Sequence, residues 1–167
     1  VIDWFDAAAA DAAVLSGDLP SLPASKRRCF VGPNQCTFGT PGVFHGNYEA
    51  NAVFDEAPGA EIYLVEVLDI GGMYTAIDWL ASNGVTIVSH TLLTAFDGPG
   101  NGTGPAAAAV DYAVYKGIAW FQYGGNFGKD SQYTWYPGSY WRGAWSDPDN
   151  DRWLNFTGTD ETLGTFC

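Results

Sequence analysis

Apolar residues along the chain change their period several times, and each change marks an element. Ala60–Val67 (AEIYLVEV) is short, apolar and β-branched, which predicts a buried strand. Met73–Ser82 then places Met73, Ala76, Ile77 and Leu80 at i, i+3, i+4 and i+7, one face of a helix. Asn83-Gly84 supplies a turn that stops it. Val85–Ser89 (VTIVS) predicts a second buried strand and Ala106–Lys116 a second helix, ended by Gly117. Ile118–Tyr123 (IAWFQY) predicts a third strand, closed by Gly124-Gly125. Gly46–Ala57 reads as a further helix, preceded by a loop from about 16 to 44, and residues 94–105 read as a polar Gly/Pro loop. Strands alternating with helices over short connections predict an α/β fold with right-handed crossovers and a mostly parallel sheet. In such sheets the reacting groups gather at the carboxyl ends of the strands. Residues 129–157 are aromatic and turn-rich without a period, so the chain divides into a 1–128 unit and a 129–167 extension, read as a loop and the start of an inserted β-domain.

Composition narrows the partners. A chain of 167 residues with 47% apolar positions is one ordinary globular domain in size. Its 7 Lys+Arg against 19 Asp+Glu leave a net charge of −12, so no basic face is available for nucleic acid or for an anionic membrane surface. No apolar stretch approaches the ~18 residues of a membrane span. Val1-Ile2-Asp3 reads as the end of a buried strand whose beginning is missing, and Cys167 follows Phe166 without a tail. A piece of a longer protein is therefore expected, and the want of a leader says nothing about secretion. Cys29 and Cys36 flank a Pro/Gly-containing turn that could bring the two sulfurs together in an oxidising compartment; two free thiols are the alternative. Cys167 is left over. The spacing does not suit zinc.

Four residues carry candidate chemistry. His45 opens a helix after a Gly/Pro-rich loop. Asp3 ends the first strand, where a carboxylate is placed to orient a histidine. Asn126 follows a strand and two glycines, which let the backbone approach closely and aim an amide at an oxyanion. His90 ends a buried strand and reads as a core histidine.

Several runs resemble one family. His45-Gly46-Asn47-Tyr48-Glu49-Ala50, followed by Ala57-Pro58-Gly59-Ala60-Glu61-Ile62-Tyr63-Leu64, is similar to the HGT helix and APxAxLY segment of the subtilisin-like serine proteases. Ala76-Ile77-Asp78-Trp79-Leu80 with Asn83-Gly84-Val85 resembles their AxDWAxxNGVDV segment. Ser89-His90-Thr91-Leu92-Leu93 resembles S-x-S-L-G, Tyr123-Gly124-Gly125-Asn126 resembles SAGN, and Val1-Ile2-Asp3 resembles VID. The resemblance covers roughly residues 1 to 128 in order, and residues 45 to 126 are its specific part.

The resemblance implies a doubly wound, subtilisin-like sheet flanked by helices, here truncated, and a secreted or cell-surface serine endopeptidase acting on extended peptide or protein substrates. It implies that His45 is the general base, that Asp3 holds its imidazole, and that Asn126 donates to the oxyanion. It also implies that the backbone of Thr91, Leu92 and Leu93 pairs with an extended substrate, with Gly124 and Gly125 beside it. The family's GTSxxxP nucleophile motif does not occur in these 167 residues, so the serine is expected in the part of the catalytic domain beyond Cys167. Other positions depart from the motifs: Trp4-Phe5 after the Asp, Asn47 after His-Gly, Leu93 for Gly, and Tyr123-Gly124 for Ser-Ala. An inactive relative that binds or builds structure is therefore the alternative. A third possibility is a glycan-binding surface using Tyr133, Trp135, Tyr136, Tyr140, Trp141, Trp145 and Trp153. No cofactor is expected. Asp147, Asp149 and Asp151 alternate as in a Ca²⁺ loop, but Arg152 and Gly158 exclude an EF-hand and leave only a looser site.

Overall fold

A computed structural model describes residues 1–92, 103–123 and 146–148. These form a mixed α/β structure of four helices and two small sheet segments. The chain divides into two compact units, Val1–Leu92 with Ala108–Tyr123, and Leu93–Ala107 with Gly124–Cys167. Every element below lies in the first, apart from the opening turn of the last helix.

The first helix, α1 (Ala7–Ser16), is alanine-rich and shows no apolar stripe; Ala10 is its buried residue. Its start is fixed by Asp6, whose carboxylate accepts the Ala9 N–H at 2.9 Å, and Gly17 ends it in the left-handed region at φ 89°. The next stretch corrects the expectation of a loop from 16 to 44. It contains a short 3-10 turn (Ala24–Lys26) and a hairpin of β1 (Arg27–Val31) and β2 (Asn34–Cys36). Cys29 pairs with Cys36 across that hairpin, and the two form a disulfide.

The helix α2 (His45–Glu56) follows, then β3 (Leu64–Val67). β3 starts later than Ala60 because its parallel partner does: Arg27 is opposite Leu64. The helix α3 (Ile70–Ser82) begins three residues before the predicted start, capped by Asp69, which accepts the Gly72 N–H at 2.6 Å. The first turn runs so close to β1 that a Cβ on Gly72 would stand 2.6 Å from the Phe30 carbonyl oxygen. Then come β4 (Ile87–His90), α4 (Pro105–Tyr115) and β5 (Ala119–Gln122).

β1 and β3 are parallel, as are β4 and β5, and Ile2 joins the two pairs by single parallel bridges to Val65 and to His90. The order is therefore β2, β1, β3, the Ile2 segment, β4, β5, with β2 as the antiparallel edge. Neighbouring β3 residues face opposite cores. Val65 packs with Ile2, Phe30, Met73, Ile77, Leu80, Val88, Ala113 and Ile118, the α3 and α4 side. Leu64 packs with Phe5, Ala10, Leu19, Leu22, Ala50 and Ile62, the α1 and α2 side. Among the described residues nothing covers that second side on β4 and β5, where Ile87 and Phe121 are each 63% exposed. Among the described residues no helix is long and apolar enough to cross a membrane.

Candidate functional site

The Ile2 segment lies between β3, reached later in the chain on one side, and β4 on the other. The connection leaving Ile2 runs through α1 on one face towards β1, whereas the one leaving β4 runs through α4 on the other face to β5. The residue at the carboxyl end of the Ile2 segment therefore stands where neighbouring connections part. That residue is Asp3. Its N–H donates to the Val65 carbonyl at 3.0 Å, and the Ile2 N–H donates to the Ser89 carbonyl at 2.9 Å.

Asp3 is fully buried. A buried carboxylate is costly unless its lone pairs are filled, and three donors fill these. The Trp4 N–H donates to Oδ1 at 2.6 Å. His45 Nδ1 lies 2.7 Å from Oδ2, and the Thr91 hydroxyl donates to that same oxygen. The acceptor-only carboxylate makes Nδ1 the protonated nitrogen, so Nε2 carries the free lone pair of the neutral ring. The His45 side chain is 59% exposed, so the ring joins a buried anion to the surface.

His45 is brought there by the first turn of α2. The Gly46 N–H donates to the Trp4 carbonyl at 2.8 Å, and a Cβ on Gly46 would collide with Trp4 O, Asp3 Cβ and the Phe5 ring. The bulk of Trp4-Phe5 is accommodated by divergence. Phe5 is buried and stacks on Phe38 at 5.3 Å, while Trp4 turns outward and is 50% exposed.

Polar groups that sequence reasoning passed over hold this corner together. Asn47 Oδ1 accepts the Asp6 N–H at 2.9 Å and its Nδ2 donates to the Asp6 carbonyl at 3.0 Å. Buried Glu66 accepts the Phe5 N–H at 3.0 Å and the Gly39 N–H at 2.8 Å, tying the turn after Asp3 to the loop that leads to His45. Asp6 accepts from Gly42 as well as Ala9, and these N–H groups hold its carboxyl below the usual range. The signal available beforehand was a carboxylate at an inward strand position, Glu66 between Val65 and Val67.

His90 is buried at the end of β4, as its strand position suggested. Its Nδ1 lies 2.5 Å from Gln122 Oε1. Burial pushes its pKa down, with the Gln122 bond and the Asp3 charge opposing. Gln122 also donates to the Leu92 carbonyl at 3.2 Å, so that carbonyl is occupied from within the fold. Of the expected site residues, Asp3, His45 and Thr91 are brought together. Leu93, Gly124, Gly125 and Asn126 lie outside the described residues, as do Asp149, Asp151 and the aromatic run from Tyr133 to Trp145. Among the described residues no group of three metal-ligating side chains gathers.

The arrangement can take a proton at His45 Nε2 and hold the resulting imidazolium against a buried carboxylate. No family model, no curated protein and no solved structure matches the chain.

Proposed function

We propose that the chain is part of a subtilisin-like serine endopeptidase and supplies two members of its Asp/His/Ser triad. One observation carries this: buried Asp3 holds the Nδ1 side of solvent-exposed His45 at 2.7 Å, at the strand end where neighbouring connections part to opposite faces of the sheet. A carboxylate–imidazole pair of that kind is what a general base for a serine hydroxyl requires. The order of strands about Ile2 and the apolar clusters on opposite faces of β3 support reading the sheet as doubly wound.

In this reading His45 Nε2 accepts the proton of a serine hydroxyl as that oxygen attacks the scissile carbonyl, then returns it to the leaving amine. Asp3 keeps the ring in one tautomer and stabilises its charged form. Asn126 donates to the oxyanion, and the chain at Thr91 to Leu93 and Gly124-Gly125 lines an extended peptide. The serine lies in sequence beyond residue 167, because Ser131, Ser139 and Ser146 sit outside any Gly-Thr-Ser motif. The open β4–β5 face bearing Ile87 and Phe121 suits cover by that further polypeptide, since both faces of a parallel sheet are normally buried. The disulfide suits an extracellular setting.

The test is labelling of the protein that includes this further polypeptide with a serine-directed phosphonate. The expected result is one labelled serine beyond residue 167 and loss of label in His45→Ala. Absence of label in a folded protein overturns the protease reading in favour of an inactive relative.

A further inference from the structure

We infer that the Thr91 side chain is a positioning residue for the His45–Asp3 pair: its hydroxyl locks the carboxylate in the rotamer that presents Oδ2 to the imidazole. The inference rests on the proposed triad but concerns a side chain to which that proposal gives no role, since there only the backbone of Thr91 serves.

The geometry is set by the sheet. His90 bridges Ile2, and the Thr91 N–H reaches the Ile2 carbonyl at 3.4 Å, so residues 88 apart in sequence stand side by side at the strand ends. Asp3 needs two anchors to fix its carboxylate plane. Oδ1 has the Trp4 N–H at 2.6 Å, a backbone donor that cannot turn away. Oδ2 has two donors, His45 Nδ1 and Thr91 Oγ1. Of these, His45 stands on a ring that is 59% exposed and can exchange its partner for water. Thr91 is partly buried, and its branched side chain has few rotamers available. The hydroxyl must donate, because an ionised carboxylate only accepts. Thr91 thus holds Oδ2 in place whether or not His45 is bound, and the ring meets an oxygen already aimed at it. Trp4 supplies no side-chain hydroxyl that could substitute.

The readout is the tautomer of His45, which is independent of hydrolysis. Two-bond proton–nitrogen spectra of the imidazoles in the 167-residue chain, at a pH where the ring is neutral, report the Nδ1–H to Nε2–H ratio. Wild type and Thr91→Ser are expected to show His45 mainly as Nδ1–H. Thr91→Val, which keeps the shape and removes the donor, is expected to lower that ratio about fivefold, the worth of one ordinary net hydrogen bond. An unchanged ratio in a folded Thr91→Val protein overturns the role of Thr91 and leaves the pair standing. A wild type without the Nδ1–H preference overturns both. Should Thr91→Val fail to fold, Thr91→Ala gives the same comparison with a smaller side chain. A protease reading that fails for want of a serine leaves these outcomes intact.

Discussion

Gly46 sits directly on the Trp4 carbonyl: its N–H donates there at 2.8 Å, and a Cβ on it would lie 2.7 Å from the same oxygen. The contact is what allows the first turn of α2 to reach the end of the Ile2 segment and deliver His45 to Asp3. Two further walls close the space, Asp3 Cβ at 2.8 Å and the Phe5 ring at 2.6 Å. Neither backbone nor a buried ring yields cheaply. Gly46→Ala should therefore cost about 2 kcal/mol by overpacking. It should also push His45 away from Asp3, lowering the Nδ1–H tautomer of His45 along with the denaturation midpoint. A variant as stable as wild type would show that α2 can slide without penalty.

Asn47 forms a two-bond amide clamp on the backbone of Asp6. Replacing it with Ala strands the buried Asp6 N–H, while the Asp6 carbonyl keeps the Ala10 N–H at 3.0 Å. At roughly 1–3 kcal/mol for an unsatisfied buried group, Asn47→Ala should destabilise by about 2 kcal/mol. Asn47→Asp should be worse still. It replaces the donor facing the Asp6 carbonyl with an acceptor and sets a second negative charge beside Asp6. Chemical denaturation of the two variants ranks them, and Asp at or above Ala would refute the clamp.

The Cys29–Cys36 bond closes a short loop between two paired strands. A loop of this size constrains the unfolded chain by about 2.5 kcal/mol. Thermal melts with and without a thiol reductant should differ accordingly, and Cys29→Ala with Cys36→Ala should match the reduced wild type. Identical melts would mean that the β1–β2 hairpin is held by its ladder alone.

The elements with strong periods could be read from the chain. Met73, Ala76, Ile77 and Leu80 do line the buried face of α3, and Val88 and Ile118 are core residues. The hairpin was hidden because RRCFVGPNQC carries turn residues in its middle and Arg at its start; β1 becomes a strand through its parallel pairing with β3, more than thirty residues away. The first helix was hidden because AAAADAAVLS has no stripe. At the site, Asp3 and His45 could be paired only through resemblance, since nothing local links positions 42 apart. Glu66 and Asn47 act on backbone groups of distant segments, which no spacing rule reaches.

His90 gives the fold a pH dependence of definite sign. Burial depresses its pKa below the ordinary 6.5, so in the fold the ring stays neutral at a pH where the unfolded chain already binds a proton. The unfolded state then holds more protons, and stability falls as the solution is acidified through 6.5 towards the lower folded value, by at most about 1.4 kcal/mol per pH unit. The carboxylates act elsewhere. Asp69, held down by the Gly32 and Gly72 N–H groups, contributes stability that is present above 3.8 and lost as pH falls further. The difference between wild type and His90→Asn isolates position 90. The unfolding free energies of the two should run parallel above about pH 7.5 and diverge below it, with wild type losing more. Divergence in the opposite direction would mean that the Asp3 charge and the Gln122 bond outweigh burial, and that His90 is held as a cation within the sheet.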